Sequence, residues 1–297
     1  MMSNAEPSWE LYETFLSVMR TGSLSAASRA LVVAQPTVRR RVEALETALG
    51  AVLFTRATNG LVPTEAARVT LPHAEAMLAS ARALVRATSG PLEAERGTVR
   101  VTASEVIGLE VMPGLWTSFR ARWPELQLEL ALSNRLEDLL RRDADVAVRM
   151  TAPTQRSLVA RKVGAIGVGL FAHQDYLSRN PAPKKAADLL KHALIGADRD
   201  RGLINAMSTM GLDLGAKDFA IRTDSDGAQL NAVRAGLGIG VCQVPLGKRS
   251  PSLVRVLPRI EFPLETWVVM HEDQRSVRRV RLVFDHLVKT LTDYARK

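Results

Sequence analysis

Hydrophobic positions in the first sixty-five residues recur at helical spacing. Leu11, Phe15 and Val18/Met19 line one side of a first predicted helix, and Gly22 supplies its stop. Ser23 is placed to cap a second, short helix running to about Leu31, whose Ala26, Ala27 and Ala30 are small enough for another helix to cross closely. A third begins near Gln35 with Pro36 in its first turn, where a missing N–H is harmless. Around that helix Val38, Val42, Leu45 and Leu49 fall in one stripe, with Pro36 and Arg40 opposite and Thr37 and Arg39 on the flanks. Gly50 ends it. Residues 52–55 and 61–62 then flank Asn59-Gly60, a strong hairpin signal. The pattern predicts a helix-turn-helix followed by a two-stranded wing.

Further along, Thr64 can cap a long helix over residues 65–87, with Val69, Met77, Leu78, Ala81, Leu84 and Val85 on an apolar side. Nothing local is available to cover that side, and a second copy of the helix is the simplest partner. Pro72 is expected to kink it or loosen one turn. Ser89-Gly90-Pro91 to Gly97 reads as a linker. From Thr98 onward short apolar strands alternate with helices. Strands are predicted at 99–103, 126–132, 146–148, 167–171, 193–195, 219–222, 239–242 and 267–270, and helices near 111–122, 136–142 and 277–294. Such alternation predicts an α/β region with mostly parallel sheet, and two groups of strands suggest two subdomains. The whole chain is therefore read as an α+β multidomain protein.

Composition narrows the function. The chain has 297 residues, 46% of them hydrophobic and 24% charged, as in an ordinary globular protein. It has no uninterrupted apolar run of about 18 residues, so no membrane partner is expected. The first residues carry Glu6, Pro7 and Glu10 where a secretory signal would be basic and then apolar, which makes the cytoplasm the expected location. Cys242 is the single cysteine and is expected to be a buried small hydrophobe. The histidines, His73, His173, His192, His271 and His286, are scattered with no metal-helix spacing, and neither a nucleophile elbow nor a phosphate loop is present. Gly236-Leu237-Gly238-Ile239-Gly240 ends a helix and enters a strand, the reverse of a dinucleotide loop. No catalytic residue, metal or cofactor is expected. An enzyme on a two-lobed α/β scaffold is an alternative that lacks a catalytic set.

The net charge of +9 points to a polyanion only if it lies in the right place. It does not: residues 1–65 hold six basic and six acidic side chains, and a surplus of eight lies beyond residue 97. What suits DNA is local. Gln35 can pair bidentately with adenine, Thr37 can touch a thymine methyl or a phosphate, and Arg39 or Arg40 can pair with guanine or clamp a phosphate. Ser23 and Pro36 complete that surface, and Arg56 in the wing is placed for the flanking backbone or minor groove. A double-stranded DNA operator is thus the expected partner. An architectural DNA-binding protein is the alternative that leaves about 200 residues of α/β sheet without a use.

Motifs of this region resemble those of the LysR-type bacterial transcriptional regulators: Ser25-Ala26-Ala27 through Leu31, Gln35-Pro36-Thr37-Val38, Leu45-Glu46, Leu49-Gly50, Leu53-Phe54-x-Arg56 and Pro63-Thr64-Glu65-Ala66. The strand-helix remainder has the length of that family's effector domain, so the resemblance covers almost the whole chain. It implies a winged helix-turn-helix DNA-binding domain (1–65), a linker helix and hinge that dimerise (66–97), and a periplasmic-binding-protein-like effector domain (98–297). That last domain divides into one subdomain of 98–165 with 268–297 and another of 166–267. A homodimer through the linker helix, assembled as a homotetramer and regulated by a small-molecule effector bound between the subdomains, is implied as well. Three residues depart from the family pattern. Ala34 stands where Ser or Thr often caps the recognition helix, Arg39 where a serine is common, and Ala67 where glycine is frequent. Ligands on such folds bind at the carboxyl ends of strands. The candidates there are Ser104, Glu105, Ser133, Asn134, Arg149, Thr223 and Asp224, with hydroxyls and Arg149 suited to an anionic metabolite.

Overall fold

The computed structural model describes residues 6–57, 60–133, 144–153, 155, 157–199, 202–209 and 214–297. They form two compact units, one ending at Ala87 and the other beginning at Thr88.

In the first unit, helices α1 (Trp9–Thr21), α2 (Leu24–Leu31) and α3 (Gln35–Leu49) stand where the capping signals put them. Gly22 and Gly50 close α1 and α3 in the left-handed conformation, and the Ser23 hydroxyl accepts the Ala26 N–H at 3.4 Å. Val38, Val42 and Leu45 are buried among Phe15, Leu16, Val18 and Ala27, whereas Leu49, the last member of the predicted stripe, is exposed. Strands β1 (Phe54–Ala57) and β2 (Gly60–Pro63) form the wing, with Ala57 paired to Gly60. Gly60 therefore opens the second strand and is not a turn centre; Asn59 lies outside the described residues. Its φ is +133°, and a Cβ there would come within 2.7 Å of the Gly22 carbonyl, to which the neighbouring Leu61 N–H donates at 2.9 Å. That contact seats the wing against the α1–α2 corner. From the other side, Glu46 Oε1 accepts the N–H groups of Leu53 and Phe54 at 2.7 and 3.2 Å, tying α3 to the wing.

Thr64 caps helix α4 (Glu65–Ala87) by accepting the Ala67 N–H at 3.2 Å. The helix is continuous across Pro72, whose missing N–H removes one rung of the ladder.

The turn between α2 and α3 carries a strained residue. Val32 has φ 56°, ψ 42° and is 89% exposed. Left-handed backbone costs an L-residue roughly 1–2 kcal/mol, and a β-branched one feels it most, with no packing here to offset it. Glycine removes the clash but loses more chain entropy on folding. Val32→Gly is accordingly expected to stabilise the first unit by about 0.5–1 kcal/mol, read in scanning calorimetry of the full chain as a rise of its transition by a few degrees. A lowered transition would show that the valine side chain makes a contact worth more than the strain.

The second unit is built on one eight-stranded sheet. Its strands are β3 (Gly97–Ala103), β4 (Leu126–Leu132), β5 (Val146–Arg149), β6 (Leu158–His173), β7 (Leu194–Gly196), β8 (Phe219–Arg222), β9 (Ile239–Gln243) and β10 (Leu253–His271), in the order β4-β3-β5-β10-β6-β9-β7-β8. The pairs β3–β4, β3–β5, β7–β8 and β7–β9 are parallel, as the alternation predicts. β6 and β10 correct the expectation of a mostly parallel sheet. They are 16 and 19 residues long, run antiparallel to each other, and join the two halves as a continuous ribbon. Exposed charged positions (Arg161, Lys162, Glu261, Glu265) and two prolines hid their length in the sequence. Pro258 falls in a register break between Val256 and Glu261, the kind of place where a strand tolerates proline.

Helices α5 (Met112–Arg122) and α10 (Arg278–Ala295) cover the first half, where Val99, Val101, Phe119, Val283 and Leu287 share a core. The second half carries two short helices, α6 (Gln174–Arg179) and α7 (Gly202–Ser208), and in it α8 (Asp226–Arg234) and α9 (Val244–Lys248) pack Leu230, Val233 and Leu246 on Phe171, Ile195 and Cys242. The Gly-rich run between α8 and β9 is a packing device. A Cβ on Gly238 would meet the Ala193 carbonyl at 2.2 Å, and one on Gly240 would meet Val233 at 2.6 Å. The helix predicted at 136–142 lies outside the described residues.

Candidate functional site

Two places are candidates for function, one in each unit. On α3 the side chains of Gln35, Pro36, Arg39 and Arg40 are exposed, and Thr37 is half-buried. The helix is held from behind by Val38, Val42 and Leu45, so its first turns are rigidly presented. The arginine triplet divides: Arg41 makes an ion pair with Glu10 of α1 and braces the helices, while Arg39 and Arg40 face away. Ala34 at the N-cap offers no side-chain bond. Arg56 is exposed on β1 of the wing. Ser23 is half-buried, with its hydroxyl engaged as the α2 cap.

In the second unit a cavity of about 530 Å³ opens beside the carboxyl ends of β3, β5 and β9. Its walls are mostly apolar, among them Val106, Val148, Val168, Leu230, Leu246 and Phe262, with Ser104, Ser133, Arg149, Thr151, Asp226, Gln229 and Gln243 as the polar positions. Arg149 is only 6% exposed, and its Nη1 and Nη2 donate to the Val148 carbonyl and the Thr102 hydroxyl at 3.1 Å. These bonds hold a guanidinium at the cavity wall.

The remaining sequence candidates stand elsewhere. Glu105 does not line the cavity; its Oε2 accepts from the Ser225 hydroxyl at 2.8 Å and from the Gly227 N–H at 3.1 Å, at the N-terminus of α8, where a carboxylate meets the favourable end of the helix dipole. Thr223 accepts the Ser225 N–H through its hydroxyl. Asp224 holds the backbone N–H groups of Asp198 and Arg199 and the Arg199 guanidinium. Both shape the loop between β8 and α8 and lie outside the lining. Asn134 lies outside the described residues. Gln229 and Gln243 were missed. Gln243 ends β9, so the strand-end rule applied to that strand finds it; Gln229 shares a helical face with Asp226 and Leu230.

Cys242 also lines the cavity, and burial pushes its thiol up to about 12, which keeps it protonated and unreactive. Four of the described histidines serve local structure: His286 bonds the Leu115 carbonyl at 2.9 Å, His192 pairs with the Tyr176 hydroxyl at 3.2 Å, and His173 and His271 cap short helices. Among the described residues no cluster suited to a metal exists, and no helix is long and apolar enough to cross a membrane.

A winged helix-turn-helix joined to a two-part α/β unit with an internal cavity defines a ligand-responsive DNA-binding regulator. Residues 9–68 match the bacterial regulatory helix-turn-helix protein, lysR family, and residues 92–292 match the LysR substrate binding domain. The chain is 34% identical over 234 residues to an HTH-type transcriptional regulator of Xanthomonas campestris pv. campestris, covering 76% of this chain and 67% of that one. It is 27% identical to the HTH-type transcriptional regulator CrgA of Neisseria meningitidis serogroup C over 93% of this chain and 95% of that one. The CrgA structure shares the fold with a TM-score of 0.61 at 23% identity, over 95% and 98% of the two chains. A structure of full-length CbnR with its target DNA does so with a TM-score of 0.65 at 20% identity, over 95% and 99%. The chain belongs to the LysR family of bacterial transcriptional regulators. It is a DNA-binding regulator with an effector-binding domain, not an enzyme, in a family whose members bind small molecules and form oligomers.

Proposed function

We propose that residues 1–65 read a specific operator in the cytoplasm, with Gln35, Thr37, Arg39 and Arg40 entering the major groove and Arg56 following the flanking backbone. Ser23 and Pro36 shape the edge of that surface. The observation that carries this reading is the exposed first half of α3 fixed by a buried stripe behind it and a tethered wing beside it. Selection of duplexes from a random pool by the full chain tests it. Enrichment of one sequence supports operator reading, and uniform retention returns the architectural alternative.

Residues 66–97 act as linker and hinge, and α4 joins two protomers, which associate further into a tetramer. Support comes from the apolar side chains on its surface: Val69, Met77, Leu84 and Val85 are all exposed, Leu84 and Val85 about two-thirds so. Met77→Asp with Leu84→Asp is expected to shift the protein toward monomer in sedimentation velocity and to weaken operator binding, because one half-site then binds alone. An unchanged sedimentation coefficient would place the interface elsewhere.

Residues 98–297 hold the effector, in the cavity between subdomains 98–165 with 268–297 and 166–267. Arg149 supplies the positive charge for a small anion, with Ser104 and Ser133 as hydrogen-bonding neighbours. Ligand acts by favouring one conformation of this domain over another.

A further inference from the structure

Two glutamines in the cavity wall are each 5% exposed, and each has half of its amide committed to the protein. Gln229 Nε2 donates to the Thr223 carbonyl at 2.8 Å. A carbonyl only accepts, so the amide cannot be reversed and Oε1 is the free half. Gln243 Oε1 accepts from the Tyr294 hydroxyl of α10 at 2.7 Å. A hydroxyl can serve either orientation of an amide, but a third group removes that freedom. Arg249 lies over the Tyr294 ring, 5.4 Å from its centre, so a positive charge stands beside the phenol. That charge turns the tyrosine proton away from itself and toward Gln243 Oε1, and Gln243 Nε2 becomes the free half. Neither free half has a hydrogen-bond partner among the described residues, and neither is sealed from the cavity. One amide thus presents an acceptor and the other a donor, both of fixed polarity, in an otherwise largely apolar wall.

We propose that Gln229 and Gln243 are the specificity-determining pair of the cavity, and that the effector carries, beside its anionic group and an apolar body, a neutral polar group that both accepts and donates, such as an amide. Tyr294 is the positioning residue that orients Gln243. This rests on the reading of the cavity as an anion-binding effector site.

The test uses three matched carboxylates on the full chain, with affinities from titration calorimetry. Hippurate carries an amide, 3-benzoylpropionate keeps the carbonyl but replaces N–H by CH₂, and 4-phenylbutyrate has neither group. Affinity is expected to fall in that order by about tenfold per lost contact, since a site built around polar groups rejects ligands that leave them unpaired. Gln229→Leu removes the preference for hippurate over 3-benzoylpropionate. Gln243→Leu removes the preference for 3-benzoylpropionate over 4-phenylbutyrate, and the nearly isosteric Tyr294→Phe weakens that same preference and leaves 4-phenylbutyrate binding unchanged. Equal affinity for the three probes in the parent protein, lost altogether in Arg149→Ala, overturns the glutamine pair and leaves the anion site standing. Binding of no probe, or binding indifferent to Arg149→Ala, overturns the anion reading and the inference with it.

Discussion

Replacement of Arg39 and Arg40 together by alanine is expected to lower operator affinity by at least two orders of magnitude. A bidentate guanidinium–guanine pair discriminates by about 1–3 kcal/mol, and each phosphate contact adds a counterion-release contribution. The proposed dimer would carry two copies of each arginine, so every lost contact would count twice. Both side chains are exposed on a helix anchored by Val38, Val42 and Leu45, so their removal leaves the fold intact. Fluorescence anisotropy across a salt series separates the roles. If Arg40 neutralises a phosphate, the slope of log K against log salt falls by about 2 per dimer, while loss of a base contact leaves the slope in place and relaxes sequence preference. Arg41→Ala is the control: its ion pair with Glu10 is intramolecular, so operator affinity should change little. Wild-type affinity in the double variant would remove α3 from the groove.

Arg149→Ala is expected to abolish the response to effector and leave operator affinity within about twofold. The side chain is nearly enclosed, held by the Val148 carbonyl and the Thr102 hydroxyl, and faces the cavity. In such surroundings a charge-assisted, forked contact to an anion is about twice as strong as a neutral hydrogen bond, and among the described residues no other cationic side chain lines the cavity. Arg149→Lys keeps the charge without the fork and should give a partial response. The checks are a reporter driven from the enriched operator and calorimetry with hippurate. Full induction and unchanged hippurate affinity in Arg149→Ala would sink the assignment. Truncation also leaves the Thr102 hydroxyl without its donor, so the unit should melt slightly earlier, by an amount matching about 1–3 kcal/mol.

The DNA-reading unit was legible because its determinants are local. Gly22, Ser23, Pro36, Gly50 and Thr64 each act on backbone within four residues, and the stripe on α3 is a helical repeat, so the chain announces each boundary where it occurs. The exceptions come from contacts between elements. Gly60 suggests a turn centre in sequence, yet it opens a strand because the Gly22 carbonyl lies against it. The Arg39–Arg41 run looks like one basic patch until the crossing of α1 and α3 brings Glu10 to Arg41.

The cavity was legible only in outline. The rule that ligands sit at the carboxyl ends of strands selected Ser104, Ser133 and Arg149, because a strand end can be read from its own apolar run. The same rule selected Glu105, Thr223 and Asp224, whose polar atoms satisfy neighbouring backbone and side chains instead. Which polar side chains turn into the protein and which line the cavity depends on partners far along the chain. Glu105 and Ser225 are 120 residues apart, and Gln243 and Tyr294 are separated by 51.

By itself the sequence determined the helix boundaries of the first unit and the strand-helix alternation of the second. Those properties follow from periodicity and capping, which act over a few residues. Only the tertiary structure decided that β6 and β10 form a long antiparallel ribbon, that Arg41 braces while Arg39 and Arg40 are exposed, and that Gln229 and Gln243 face a cavity with opposite polarity. Those outcomes depend on pairing between distant segments, where register and the competition for hydrogen-bond partners are settled by packing and not by neighbours in the chain.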